Sequence, residues 1–435
     1  MVRIQDHIAK IAWTLADKVL LLCYGFVNIM QNNALPPHEL GLYTLCNALH
    51  TFIFALSDGF VLQSIIVKGA HKELRGSVTR FAVFWHIALV MGISGGIFSF
   101  QEAFAWFLRE PRLKLVAAYL PLLCFLALPR TLCLKYLIRD VQMREVFVVN
   151  VAWIGSMTGV TIWLLVHHAL VSFEAMAIIA ASGMGTSSIV ALWITRRQIF
   201  FATVERIHPR EFWSIGMYQG TAALLGNLIR QLDVAGIQYF FGAATVGVYQ
   251  AAKTLFRFFD EAFNAIISLV YPATMRFVYE KRFEELRSML SKMLSFSLAA
   301  ILVIVAVAQA GGAEYAISHL LSRKYAAAVG YFCLLLWAAP AMPCVALSPV
   351  MVAFGEMRRF LLYIVGAMIV GMTMLATIGI LHMEALVPLG IVAYTVVLGI
   401  WIFAAVQSYL HIPMRMLFRV IPDTMHFLRR WLKKP

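Results

Sequence analysis

Charge is scarce in this sequence: Asp, Glu, Lys and Arg make up 13% of the 435 residues and apolar types 61%, where a soluble domain has about a quarter charged. Such a chain cannot cover a water-facing surface, so lipid is the solvent for most of it. A mean hydropathy of +0.80 agrees. Long polar connections are also lacking, which leaves no segment between the apolar runs large enough for a soluble catalytic domain. Acidic residues are fewer than basic ones, giving a net charge of +14. A nucleic-acid binder would gather its Lys and Arg on one solvated face; here they are scattered through short segments, so no nucleic-acid partner is expected. The six cysteines (Cys23, Cys46, Cys124, Cys133, Cys333, Cys344) all fall in apolar runs, with no CxxC and no His at metal-ligand spacing. They read as reduced packing residues. No phosphate loop is present, so neither ATP hydrolysis nor a cofactor is expected. Gly183-Met-Gly185 has no preceding strand and reads as close helix packing. Arg3, Asp6, His7 and Lys10 interrupt the start of the chain, so a cleaved signal peptide is not expected and the first span is kept.

A membrane-spanning helix needs about 20 mainly apolar residues. Runs of that kind predict helices at 9–31, 39–67, 78–100, 115–136, 146–167, 172–195, 213–240, 245–271, 292–312, 326–354, 360–381 and 386–410. With the N-terminus in the cytoplasm, 26 Lys and Arg fall on the inner side. Only Arg109, Arg112, Lys114, Arg323 and Lys324 fall outside. The positive-inside bias therefore puts both termini in the cytoplasm. Trp106 and Trp431 stand where interfacial aromatics are expected.

Gly41-Leu42-Tyr43 returns as Gly247-Val248-Tyr249, 206 residues later. The same offset sets Thr44 against Gln250, Asn47 against Lys253, Thr51 against Arg257 and Asp58 against Asn264. A duplicated six-helix unit of parallel topology accounts for this matching of polar with polar. The expected organisation is an all-α polytopic membrane protein of about twelve spans in two six-helix lobes around a central cavity. The lobes cover 1–195 and 213–410, with a basic linker at 196–212. The tail, 411–435, carries Met414, Leu417, Ile421, Met425, Leu428 and Leu432 at helical spacing among basic residues, the pattern of an amphipathic helix at the membrane surface.

In the eighth predicted helix Gln250, Lys253, Arg257, Asp260, Glu261 and Asn264 recur at steps that gather them on one face. Charged groups facing acyl chains cost several kcal/mol each, so that face must meet protein or water. Internal pairing is one reading, since Arg257 can reach Asp260 or Glu261 and Arg230 can reach Asp233. Buried ion pairs stabilise poorly, and a stripe of this length fits a water-filled cavity better. Asn227, Arg230, Gln231, Asp233 and Gln238 of the preceding helix, Asp17, Lys18, Tyr24 and Asn28 of the first, and Arg130 of the fourth add to the polar set.

The stretch from Gln231 to Thr254, with Asp233, an apolar run, Gly242 and then Gly247-Val248-Tyr249, resembles a pattern of the polysaccharide transporter (Wzx-like) family. That family belongs to the multidrug/oligosaccharidyl-lipid/polysaccharide exporter superfamily. Ser322-Arg-Lys-Tyr325, followed by Ala328 and an apolar run to Gly355, is similar to the entry of the family's tenth helix. Gly41-Leu42-Tyr43 and Asp58-Gly59-Phe60 carry a looser likeness in the first half. The resemblance implies two rocking six-helix lobes that flip an undecaprenyl-diphosphate-linked oligosaccharide across a bacterial cytoplasmic membrane. It also implies that the family's Asp of the seventh helix is Asp233; Asp17-Lys18 matches no family position.

Substrate-binding candidates are thus Arg230, Lys253, Arg257, Asn227, Gln250, Asn264, Arg130 and Lys18, the cations suiting a diphosphate or an acidic sugar. Ion-coupling candidates for H⁺ or Na⁺ are Asp233 and Asp260 first, then Glu261, Asp17 and Asp58. Partners expected are the lipid-linked sugar, membrane lipids and polysaccharide assembly proteins. The rivals are a multidrug or cation antiporter, whose cavity should be acidic and aromatic, and a membrane-embedded polymerase or ligase, for which the outer loops are too short.

Overall fold

Apolar runs become helices here because a backbone in hydrocarbon must satisfy every N–H and C=O within its own segment. The computed structural model describes residues 4–67, 69, 73–196, 228 and 231–411, and no strand occurs among them. The first helices are α1 (Ile4–Ala34), α2 (Pro37–Ser57) continued by a π-turn (Asp58–Leu62) and α3 (Gln63–Val67), α4 (Arg75–Ser99), α5 (Gln101–Phe107), α6 (Leu113–Arg139), α7 (Met143–Val166) and α8 (Phe173–Thr195). A helical stretch at residues 231–241, here α9, precedes α10 (Ala243–Tyr279). Then come α11 (Phe283–Val307), α12 (Ala313–Leu320), α13 (Ala328–Leu335), α14 (Met342–Val345), α15 (Ser348–Ala353), α16 (Met357–Ile380) and α17 (Leu389–Leu410).

Among the described residues, ten helical stretches are long and apolar enough to cross a membrane. They coincide with ten of the twelve predicted spans. The predicted span 213–240 lies largely outside the described residues. α10 forms as a single helix but is too charged in its middle to qualify by composition, because of the same polar stripe that marks it in the sequence. Two spans are less regular than the sequence suggests. The one expected at 292–312 begins at Phe283 and runs to Leu320, broken where Ala310 leaves helical geometry and Gly311 takes φ +107°. The one expected at 326–354 is split into short α and 3₁₀ pieces, since Pro340, Pro343 and Pro349 each remove a helical N–H donor.

The chain forms two compact units, Met1–Gln250 and Ala251–Pro435, with the boundary inside α10. In the first, α6 lies against α2, α4 and α8, while α7 lies against α1 and α8. Val61, Leu62, Ile65, Val78, Ala82, Leu132 and Tyr136 form one buried cluster, and Cys133, Leu137, Val149 and Ala191 another. In the second unit, α16 and α17 form a hairpin that closes at Gly371 and Gly390.

The repeat is visible in the element order. Helix starts at 37, 75, 101, 113, 143 and 173 are answered at 243, 283, 313, 328, 357 and 389, an offset that opens from 206 to 216 residues. Where the offset is still 206, α2 meets α10 through two small residues. A Cβ on Gly41 would stand 1.8 Å from the carbonyl oxygen of Ala243, and one on Gly247 would stand 1.9 Å from that of Pro37. Pro37 and Ala243 are themselves repeat equivalents, so the contact is reciprocal. Lipid offers helices little hydrophobic reason to associate, and close backbone approach over small residues replaces it.

Helix α6 carries Pro121 and Pro129. Pro129 has no N–H to give the helical ladder, and beside it the Ser188 hydroxyl of α8 donates to the Leu126 carbonyl at 2.5 Å and accepts from the Arg130 N–H at 3.1 Å. Two backbone groups that hydrocarbon cannot solvate are thereby satisfied. Ser188→Ala is expected to destabilise the protein by about 1–3 kcal/mol, the desolvation cost of leaving them bare. Thermal unfolding of the detergent-solubilised protein measures this, and an unchanged midpoint would remove the bridge from the account of α6.

Candidate functional site

One end of α2 is tied to its surroundings by charge. Glu39 accepts from the Phe173 N–H at 2.9 Å and pairs with the Arg112 guanidinium, whose pKa it raises. His38 meets Glu110 at 3.2 Å. Nearby, the Leu108 carbonyl accepts from Gln238 at 3.4 Å, and Arg109 lies 4.9 Å above the Tyr239 ring. At the other end of these helices Arg75 and Arg139 both bond to Asp140, at 3.1 and 2.9 Å, and hold its carboxyl below the usual carboxylate range. Connections therefore alternate between two ends of the first unit, as spanning helices require. Trp106, on α5, is 82% exposed, consistent with an interfacial aromatic.

Between those ends, the structure brings together predicted residues that lie far apart in sequence. Asp17 of α1 and Arg130 of α6 meet through Asn150 of α7. The Asn150 amide N–H₂ donates to Asp17 Oδ1 at 2.7 Å, and its oxygen accepts from Arg130 Nη2 at 2.8 Å. The guanidinium lies 4.3 Å above the Trp153 ring, a cation–π contact. Gly183 makes room for this wall, since a Cβ there would stand 2.3 Å from Met157 and 2.9 Å from Trp153. The expectation of close packing at that glycine holds. Among the described residues, His50 Nε2 and Arg130 Nε are buried without a partner. Along the same α1–α7 seam, Tyr24 lies 6.1 Å from the Trp153 ring and Gln31 donates to Thr161 at 2.8 Å.

Asp58 opens the π-turn of α2. It pairs with Lys135 of α6 at 2.5 Å and accepts from Gln63 at 3.3 Å, so its charge is already met by an ammonium. Immediately before it, Ser57 bonds to His86 at 2.5 Å, and His86 reaches Thr131 at 3.0 Å. Asp233 is buried, accepting from the Tyr249 hydroxyl at 2.8 Å and from the Val234 N–H at 2.7 Å. The Asp and the Tyr of the Gly-x-Tyr motif thus fasten α9 to α10.

On α10, Leu255 and Phe263 of the expected apolar face are buried and Arg257 and Asn264 of the polar face are exposed, while Phe259 and Ile266 are half-buried and Phe258 is 41% exposed. Gln250, Lys253, Asp260 and Glu261 are half-buried. Arg257 pairs with Glu261 at 3.5 Å across one helical turn, the two side chains 61% and 37% exposed. Lys18 is exposed on α1. Asn227 and Arg230, the linker from 197 onward, and the tail from 412 onward with Trp431 lie outside the described residues. Asn150, Trp153, Lys135 and His86 are absent from the sequence-derived set. The available signal was that each is a polar or aromatic group alone in an apolar run facing another such group.

The family described as "Polysaccharide biosynthesis protein" matches residues 34–330. Among solved structures, an inward-facing multidrug resistance MATE family transporter of the MOP superfamily superposes with a TM-score of 0.73 at 14% identity, covering 89% of this chain and 94% of that one. The lipid II flippase MurJ in its inward closed conformation superposes at 0.71 with 10% identity, covering 98% and 93%. A Vibrio cholerae MATE transporter, VcmN, gives 0.55 at 14% identity, covering 94% of each. No curated protein sequence matches the chain. Identities this low establish the fold alone, one that membrane flippases and transporters share. The match over 34–330 spans more than half the sequence, and by it the chain belongs to the polysaccharide biosynthesis protein family, as a multi-pass membrane protein.

Proposed function

We propose that this protein flips a polyprenyl-diphosphate-linked oligosaccharide across the cytoplasmic membrane of a bacterium by ion-coupled alternating access, with both termini in the cytoplasm. The observation that carries the reading is the charged stripe in the middle of α10, where Lys253 and Arg257 stand beside Asp260 and Glu261 and where Arg257 and Asn264 are exposed. That helix has 37 residues, about 55 Å at 1.5 Å per residue, far more than a bilayer core of roughly 30 Å needs. Lys253 to Asn264 lie roughly 15 to 32 Å along it, at a depth where exposed charge is tolerable only beside water or an anionic ligand. A diphosphate or acidic sugar supplies such a ligand through charge-assisted bonds, while its lipid tail stays in the bilayer.

For ion coupling, Asp17 is the strongest of the four carboxylates Asp17, Asp58, Asp233 and Glu261, with Asp260 kept as a further candidate. Asp58 is held by Lys135, Asp233 by Tyr249 and a backbone N–H, and Glu261 by Arg257. Asp17 instead accepts from a neutral amide, so its charge stays available to H⁺ or Na⁺. The fold is shared with a multidrug transporter, which keeps drug or cation antiport as the second reading. Purified protein in liposomes should move a lipid-linked sugar to the opposite leaflet with its covalent structure unchanged. A processed product in the mass spectrum would remove the flippase reading, and efflux of a cationic dye with no sugar movement would favour the antiporter.

A further inference from the structure

Asn150 stands between a carboxylate and a guanidinium, and an asparagine has donors on one side of its amide and an acceptor on the other. Only one of its two flips satisfies both neighbours: N–H₂ toward Asp17 and oxygen toward Arg130, the arrangement seen at 2.7 and 2.8 Å. The residue is 7% exposed, so its amide cannot turn to solvent instead, and buried polar groups stay paired.

We propose that Asn150 is a positioning residue that couples the charge state of Asp17 to the hold on Arg130. A proton added to Asp17 creates an O–H that needs an acceptor, and a sodium ion at the same carboxylate needs oxygen ligands. Asn150 supplies its oxygen to either by rotating its amide. The same rotation takes that oxygen from Arg130 and turns N–H₂ toward the guanidinium, donor against donor. Arg130 then leaves its place over Trp153, and its charge is delivered to an anionic group. Nothing but the cation is consumed, and it returns to solution when the amide turns back. The link to transport rests on the flippase reading above; the amide switch itself does not.

Other ionisable groups on the surrounding helices include Lys18 on α1, His50 on α2 within electrostatic reach of Arg130, Lys135 with its partner Asp58, and Arg144 and Glu145 at the start of α7. All of them are unchanged in Asp17→Asn, which isolates the carboxylate.

Because Trp153 reports on Arg130, the test is fluorine NMR of the full chain carrying 5-fluorotryptophan in lipid nanodiscs, with the Trp153 signal assigned by its loss in Trp153→Phe. In the unsubstituted protein that signal should shift on acidification without sodium if the cation is H⁺, or on adding sodium at constant pH if it is Na⁺. Asp17→Asn should hold it at the cation-loaded position under every condition. Asn150→Leu should abolish the response, and Asn150→Gln, which keeps an amide, should retain it. The proposal is overturned if the signal answers neither cation, if Asp17→Asn responds as the unsubstituted protein does, or if Asn150→Leu still responds. Should Asn150→Leu not fold, the Asp17→Asn arm decides alone. A responding signal in a protein that moves no sugar would sink the flippase reading and leave the switch standing.

Discussion

Gly41→Ala and Gly247→Ala are each expected to lower the thermal midpoint of the detergent-solubilised protein by several degrees, while Gly92→Ala leaves it unchanged or slightly raised. The added methyl at 41 or 247 would stand 1.8 or 1.9 Å from a backbone carbonyl oxygen, and nothing lies within 4 Å of one at 92. A carbonyl inside a helix cannot rotate away as a flexible side chain can, so α2 and α10 must separate by more than an ångström. Overpacking of this kind costs about 1–3 kcal/mol, sometimes more, whereas an exposed helical Gly→Ala gains up to about 1 kcal/mol in propensity. Because both glycines belong to one crossing, a single separation relieves both clashes. The double variant should therefore fall well short of the sum of the singles, a coupling of about 0.5–3 kcal/mol. Additive losses would mean that the two contacts yield independently, and the reciprocal crossing would then not act as one unit.

Changing Lys253 and Arg257 together to alanine is expected to abolish sugar translocation without lowering the amount of protein in the membrane. For Arg257 the stability half of this expectation follows from exposure: its pair with Glu261 is 3.5 Å long with side chains 61% and 37% exposed, and such pairs contribute about 0–1 kcal/mol. The transport half follows from the ligand. A charge-assisted hydrogen bond to a diphosphate contributes about 1.5–3 kcal/mol, so losing two weakens the hold by roughly two to four orders of magnitude. Surface-polysaccharide production in a strain carrying the double variant, with membrane levels measured by immunoblot, checks both halves. Undiminished polysaccharide at normal protein levels would take the head group away from α10.

The spans were legible because their signal is local: twenty apolar residues need no partner to be recognised. The repeat was legible for the same reason at its start, where Gly41-Leu42-Tyr43 and Gly247-Val248-Tyr249 stand at one fixed offset. It faded later as the offset between paired helices grew by ten residues. On α10, helical spacing alone set exposed Arg257 and Asn264 apart from buried Leu255 and Phe263. Asn150 escaped because its meaning lies in two residues on other helices, 133 positions before it and 20 before it, and no periodicity links them. Asp233 shows the opposite limit. A lone carboxylate in an apolar run looks like a pathway group, and only the folded chain brings the Tyr249 hydroxyl of the following helix against it, 16 residues on.

The Ser188 hydroxyl lodged beside Pro129 also bears on how force travels through the first unit. Sliding α8 along α6 would pull that hydroxyl away from the Leu126 carbonyl and the Arg130 N–H, at the same cost of about 1–3 kcal/mol as its removal. That cost biases the two helices to move as one lever, so displacement during turnover falls preferentially at other seams. The lever carries Arg130 beside Pro129.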